Sequence, residues 1–194
     1  MNIYLAEKNE PKSLPIRELI EELDKLPIYN PEINLELLAK KEYFLIDVFH
    51  TFIQPLMDRF EERTYSEEGI VGIIKEKKVR TGFREFLEYY NNLGKIIVIH
   101  SDSFFKAEFK EAAKHWAFGD HVKEYFGKEY LKQNNEKDFD KMIDKMAASK
   151  ENSLVIGDGG SDIVPSINGD IDILLIPMYY LGVSNTFDYK NLIP

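Results

Sequence analysis

Cysteine is absent from all 194 residues of the chain. Its absence excludes disulfides, thiolate metal sites and cysteine nucleophiles, and fits a reducing compartment, so a cytoplasmic protein is the default expectation. No apolar run approaches the roughly 20 residues needed to span a bilayer, and Met1 to Pro11 lacks the apolar stretch of a signal peptide. Internal repeats and low-complexity tracts are missing too. Positive charge is scarce: 25 Lys and Arg against 34 Asp and Glu leave a formal net charge of −9. That balance disfavours broad nucleic-acid binding, because the phosphates would be repelled. The local exception is Lys75, Lys77, Lys78 and Arg80 in IIKEKKVR. It reads as a solvated hairpin or, alternatively, as a cationic rim that draws in an anionic substrate.

What is present is ordinary for a folded protein. The length suits one domain with a short appendage, and the 44% apolar and 30% charged fractions argue against global disorder. Residues 1 to 41 read as a helical N-terminal extension punctuated by Pro11, Pro15, Pro27 and Pro31. Leu14 to Leu26 predicts an amphipathic helix with Ile16, Leu19, Ile20 and Leu23 on one stripe, and Asn34 to Lys41 predicts a second short one.

From residue 42 to 194 the pattern changes to an α/β domain. Tyr43–Ile46, Ile96–Ile99, Leu154–Ile156 and Ile173–Ile176 are short runs apolar on both faces, as suits strands buried in a parallel sheet. Helical patterns separate them. Phe83, Phe86, Leu87 and Tyr90 form one stripe, stopped by Gly94, and Phe139, Met142, Ile143 and Met146 form another. Phe104 to Trp116 and His121 to Phe126 read as less regular helices. Alternating strands and helices predict βαβ units and a doubly wound parallel sheet.

In such sheets the site lies beyond the carboxyl ends of the strands. Asp47 follows the first run, His100, Ser101 and Asp102 the second, and Gly157 and Asp158 the third, in GDGGSDI. Carboxylates delivered to one edge suit Mg²⁺, which prefers hard oxygen ligands, and a carboxylate beside the metal can attack phosphorus. Gly159 and Gly160 allow close backbone approach. If Ser161 opens a helix, Asp162 faces the same site. A hydroxyl and a lysine would complete the cradle by neutralising phosphate oxygens.

DVFHTF resembles the first motif of the haloacid dehalogenase (HAD) superfamily, an aspartate at a strand end followed by x-Asp-Gly-Thr. IVIHSDS is similar to its second motif and GDGGSDI to its fourth, Gly-Asp-x-x-x-Asp. The resemblance spans about Tyr43 to Pro177. It implies a Rossmann-like core and an Mg²⁺-dependent phosphohydrolase or phosphotransferase with Asp47 as nucleophile and metal ligand. Asp158, with Asp162 in support, and the backbone carbonyl of Phe49 are the further implied ligands. Ser101 would bind the transferring phosphoryl group and Thr51 would hold the first loop. The lysine of the third motif is Lys137, with Lys132 as the alternative.

Two positions depart from the family pattern. Phe49 replaces the second aspartate, the usual general acid and base, so the chemistry should favour leaving groups that need little protonation. His50 stands where glycine is common. A catalytically weak phosphate- and metal-binding module is the alternative function. Dehalogenase chemistry is a further one, though dehalogenases work without a metal and lack the Gly-Asp-x-x-x-Asp form that this chain keeps. The spacing from Asp47 to Ser101 leaves room for a hairpin flap but for no large cap. Capless members act on macromolecules or borrow a neighbouring subunit as a lid. The implied partner is therefore a phosphorylated small molecule or macromolecule, with a homo-oligomer allowed and no membrane expected.

Overall fold

The computed structural model describes residues 1–8, 14–23, 27–47, 80–102, 106–107, 119–176 and 187–194. Six strands form one sheet: β1 (Ile3–Leu5), β2 (Tyr43–Asp47), β3 (Ile96–His100), β4 (Glu124–Phe126), β5 (Ser153–Gly157) and β6 (Asp172–Leu175). Their spatial order is β1-β6-β5-β2-β3-β4, and every pairing is parallel. The chain winds outward from β2 in one direction through β3 and β4, and reaches β5 and β6 on the other side. The order therefore reverses between β2 and β5, where a doubly wound sheet opens a crevice at its carboxyl edge.

Alternation along each strand explains why the runs are apolar throughout. Phe44, Ile46, Ile97, Ile99, Leu154 and Ile156 join the core on one face, with α2 (Pro31–Lys40), α3 (Phe83–Asn92) and the C-terminal turn Tyr189–Leu192. Leu45, Val98, Val155, Ile173 and Leu175 join the core on the other, with α4 (Phe139–Lys145) and α5 (Gly160–Gly169). A strand covered on both faces has no use for polar residues until it emerges at an end.

The four sequence-predicted strands stand within one residue of their expected bounds. Two elements differ from expectation. His121 to Phe126 is not a helix: Gly119–His121 is a single 3-10 turn, and Glu124–Phe126 becomes β4, hydrogen-bonded beside β3. Three residues carry no periodicity, so only the free edge of β3 decides their state. The extension is not purely helical either. Ile3–Leu5 pairs with β6, Leu5 N donates to Ile28 O at 2.7 Å, and Asn34 Nδ2 donates to Leu5 O at 2.6 Å. Leu37 and Leu38 of α2 are buried in the shared core, and Leu19 of α1 (Leu14–Glu22) and Leu23 pack against the opposite face. Residues 1 to 41 thus share the buried cores with the rest, and a boundary at 41/42 would cut through them. The helix expected from Phe104 to Trp116 lies almost entirely outside the described residues. No helix among them is long and apolar enough to cross a membrane.

Candidate active site

The reversal point gathers the charges. Asp47 ends β2, and Asp158 follows the last residue of β5. The chain then turns through Gly159 into α5, whose first turn carries Asp162, where the helix amides favour an anion. Asp162 is buried and fully engaged: Oδ2 accepts from Asp158 N at 3.1 Å and Oδ1 from Lys137 Nζ at 2.5 Å. Lys137 also donates to Asp47 Oδ2. It sits just before α4, held by a bridge between Leu131 and Lys137 and by the Asp138 cap on Lys141 N at 3.1 Å. Lys137 is 1% exposed and hydrogen-bonded to Asp47 and Asp162, whereas Lys132 is only half-buried, so Lys137 is the lysine that the fold delivers to the carboxylates.

Register places His100 directly beside Asp47, with Nδ1 3.8 Å from Asp47 Oδ2. The ring is fully buried, edge-on to Phe139 at 5.2 Å. Burial, and secondarily the Lys137 charge, hold its pKa well below the ordinary value, so it is a neutral imidazole. Ser101 is buried immediately beyond β3, its backbone N donating to Phe126 O at 3.0 Å. Phe49, His50, Thr51 and the lysines at 75, 77 and 78 lie outside the described residues.

The charges do not balance. Asp47, Asp158 and Asp162 are three buried acids against two buried cations among the described residues, Lys137 and, acting on Asp158, Arg80. Burial first, then Asp47 and Asp162, push Asp158 well above the usual carboxylate range. Burial pushes Asp162 up to about 6 despite Lys137. Lys137 is raised as well: Asp162, Asp47 and Asp102 together outweigh its desolvation. Burial leads both acid shifts, and the crowding of like charges adds to it, while the same crowded acids raise Lys137. Asp158 Oδ2 is buried without a hydrogen-bond partner among the described residues. That orphaned oxygen and the charge deficit fit a divalent cation.

Two ligand sets compete for such an ion. Asp47, His100 and Asp162 each present one atom within 4.8 Å of the others. Lys137 already occupies the facing oxygens of Asp47 and Asp162, however, and Mg²⁺ prefers oxygen to imidazole. Asp47 with Asp158 is the set that avoids placing two cations on the same oxygens. Asp162 then acts by holding Lys137 and the Asp158 backbone.

No family model matches the sequence, and no curated protein does. Solved structures match the fold. A protein described as a haloacid dehalogenase-like hydrolase from Bacteroides fragilis aligns at TM-score 0.55 and 13% identity, over 73% of this chain and 91% of its own. One described as a phosphatase from Clostridium difficile aligns at 0.55 and 16%, over 69% and 84%. One described as a β-phosphoglucomutase from Thermotoga maritima aligns at 0.56 and 12%, over 78% and 96%. The chain has the HAD-like fold.

Around this cluster the structure adds residues that the first, second and fourth motifs do not include. Arg80 is buried rather than on a solvated hairpin, and Asp158, Glu7 and Tyr189 surround it electrostatically. Tyr189 is fully buried against Phe83 and Phe86, at 4.9 and 5.3 Å between ring centroids. Burial, reinforced by Asp47 and Asp158 against the opposing Arg80, raises its pKa. These side chains come from sequence-distant segments, so spacing carries no signal for them.

Proposed function

We propose that this chain is an Mg²⁺-dependent phosphohydrolase or phosphotransferase acting through Asp47. The observation that carries the reading is the cluster of Asp47, Asp158, Asp162 and Lys137 at the sheet's reversal point, short of positive charge and with Asp158 Oδ2 unpartnered. Asp47, Asp158 and the Phe49 carbonyl would hold the ion, which supplies charge neutralisation for the phosphoryl oxygens. An Asp47 carboxylate oxygen attacks phosphorus, and the bond from phosphorus to the leaving oxygen breaks, with the electron pair departing on that oxygen. Ser101 and Lys137 donate to the phosphoryl oxygens. Water then cleaves the aspartyl-phosphate, returning the Asp47 carboxylate and inorganic phosphate, or a second nucleophile takes the phosphoryl group.

Phe49 cannot pass a proton to the leaving oxygen, so acyl and aryl phosphates are the preferred substrates, on a small molecule or a macromolecule. The same residue favours a second reading, a phosphate- and metal-binding module with weak catalysis. The deciding experiment is phosphate release from p-nitrophenyl phosphate by native protein and Asp47→Asn, with and without Mg²⁺. Mg²⁺-dependent release that disappears in Asp47→Asn supports the enzyme. Release unchanged in Asp47→Asn removes Asp47 from its role, and no release from any aryl or acyl phosphate leaves the binding module.

A further inference from the structure

On the same carboxyl edge of the sheet as the charged cluster, past the end of β1, lies a cavity of about 340 Å³. It is built by the two chain ends rather than by the core motifs. Glu7, just past β1, and Asn34 of α2 form one side, and Asp188 and Asn191 of the C-terminal turn form the other, with Tyr29 and Phe187 as aromatic walls. The volume is at the small end for an organic ligand.

Its charged lining is all hydrogen-bond acceptor, with the Asn191 amide and the Tyr29 hydroxyl as the side-chain donors beside it. Asn34 is 1% exposed, and its Nδ2 is committed to Leu5 O at 2.6 Å. A carbonyl can only accept, so the other amide atom is the oxygen, and Asn34 Oδ1 has no partner among the described residues. Glu7 Oε1 is likewise buried and unpartnered among them. Glu7 and Asp188 bring two carboxylates, and no Lys or Arg is among the described residues lining the cavity. A buried acceptor left unsatisfied costs free energy that a ligand's N–H donor would recover.

The cavity also has a route to the site. Arg80 interacts electrostatically with both Glu7 and Asp158. Parallel pairing puts the ends of β1 and of β2, which carries Asp47, on one edge with β6 and β5 between them, about 14 Å apart at three sheet spacings. A small organic group in extended form, with a contact at each end, spans that distance.

We propose that this cavity binds the leaving group of the phosphorylated substrate, and that the group is a small aromatic or aliphatic moiety bearing a primary ammonium. The role as a leaving-group pocket rests on the phosphatase reading, but binding can be measured without catalysis. Glu7, Asp188 and Asn34 Oδ1 accept from the ammonium, and Tyr29 and Phe187 contact its carbon skeleton. A carboxylate at the same place would face Glu7 and Asp188, opposed only by Arg80 behind the lining, so anionic leaving groups are disfavoured.

The test pairs two probes of one shape and opposite charge, tyramine and 3-(4-hydroxyphenyl)propionate, titrated calorimetrically into the full chain. Tyramine should bind at least about tenfold tighter than the propionate, and Glu7→Gln should weaken it about tenfold, the scale of one charge-assisted hydrogen bond. Should Glu7→Gln fold poorly, Asp188→Asn serves instead, because asparagine keeps the acceptor that Lys190 N uses at 2.9 Å. A parallel arm compares phosphate release from the phenolic phosphates of the two probes, where the ammonium compound should lead by about tenfold in kcat/KM. Equal binding of the two probes, or tyramine binding unchanged in both variants, overturns the proposal and leaves the phosphatase reading standing. Tyramine binding with no phosphate release from either ester overturns the phosphatase reading, and with it the leaving-group role.

Discussion

A methyl group on Gly157 would overlap the Asp162 carboxylate, whose Cγ and Oδ2 fill the space beside the glycine Cα. Asp162 cannot swing aside, because Lys137 and the Asp158 backbone hold its two oxygens. Gly157→Ala should therefore cost about 1–3 kcal/mol, as other overpacking changes do, and displace Asp162. A urea titration measures the cost. An alanine variant with native stability would show that the Asp162 side chain is free to move.

Lys137 is the only cation hydrogen-bonded to Asp47 and Asp162 among the described residues. Lys137→Met leaves both acids buried without it, and should destabilise the metal-free protein by about 3–5 kcal/mol. Adding Asp162→Asn removes one of the stranded charges and should recover part of the loss. Chemical denaturation of the single and double variants checks this. A double variant less stable than Lys137→Met alone would count against the charge argument.

Stability should fall with rising pH when no metal is present. Asp162 is pushed from 3.8 up to about 6, and Asp158 moves the same way, so the folded protein keeps protons that the unfolded chain releases. The stabilisation is complete below about pH 4 and is lost as the pH passes about 6, the sign expected for carboxyls raised by folding. The Tm of the metal-free protein should thus drop between pH 5 and pH 7. Millimolar Mg²⁺ should restore it at pH 7, since an ion that binds only the folded state raises stability. Asp158→Asn should abolish that restoration. A Tm indifferent to both pH and Mg²⁺ would remove the metal from this site.

Phe49→Asp should narrow the gap between aryl and alkyl phosphates, by about 10²-fold if the new carboxyl reaches the leaving oxygen. Rates on p-nitrophenyl phosphate and a sugar phosphate, taken after folding and the Mg²⁺ response are verified, give the answer. Equal native rates on the two esters would mean that another group supplies the proton, His50 being the first to test.

Removing residues 1 to 41 should prevent stable folding. Ile3, Leu5, Leu37 and Leu38 leave the core with that segment, at about 1.5–3 kcal/mol for each buried side chain, a total comparable to the whole stability of a domain. Expression and circular dichroism of the truncated chain test this. A cooperatively folded product would make the segment a true appendage.

The residues themselves determined the sheet core, because strands covered on both faces must be apolar and must emerge at Asp47, Ser101 and Asp158. They also marked Asp162, since a helix opening after two glycines can return its first turn to the strand end. Lys137 and Lys132 were equivalent in sequence. Only the bridge from Leu131 to Lys137 and the burial of one amine against two carboxylates separated them. Strands β1 and β4 were illegible because three residues carry no period, and pairing with an existing edge is a property of the sheet. Glu7, Tyr189 and the burial of Arg80 were illegible for a related reason. Their meaning lies in one another's charge and burial, and segments so far apart in the chain acquire that relation only when the sheet brings its two ends together.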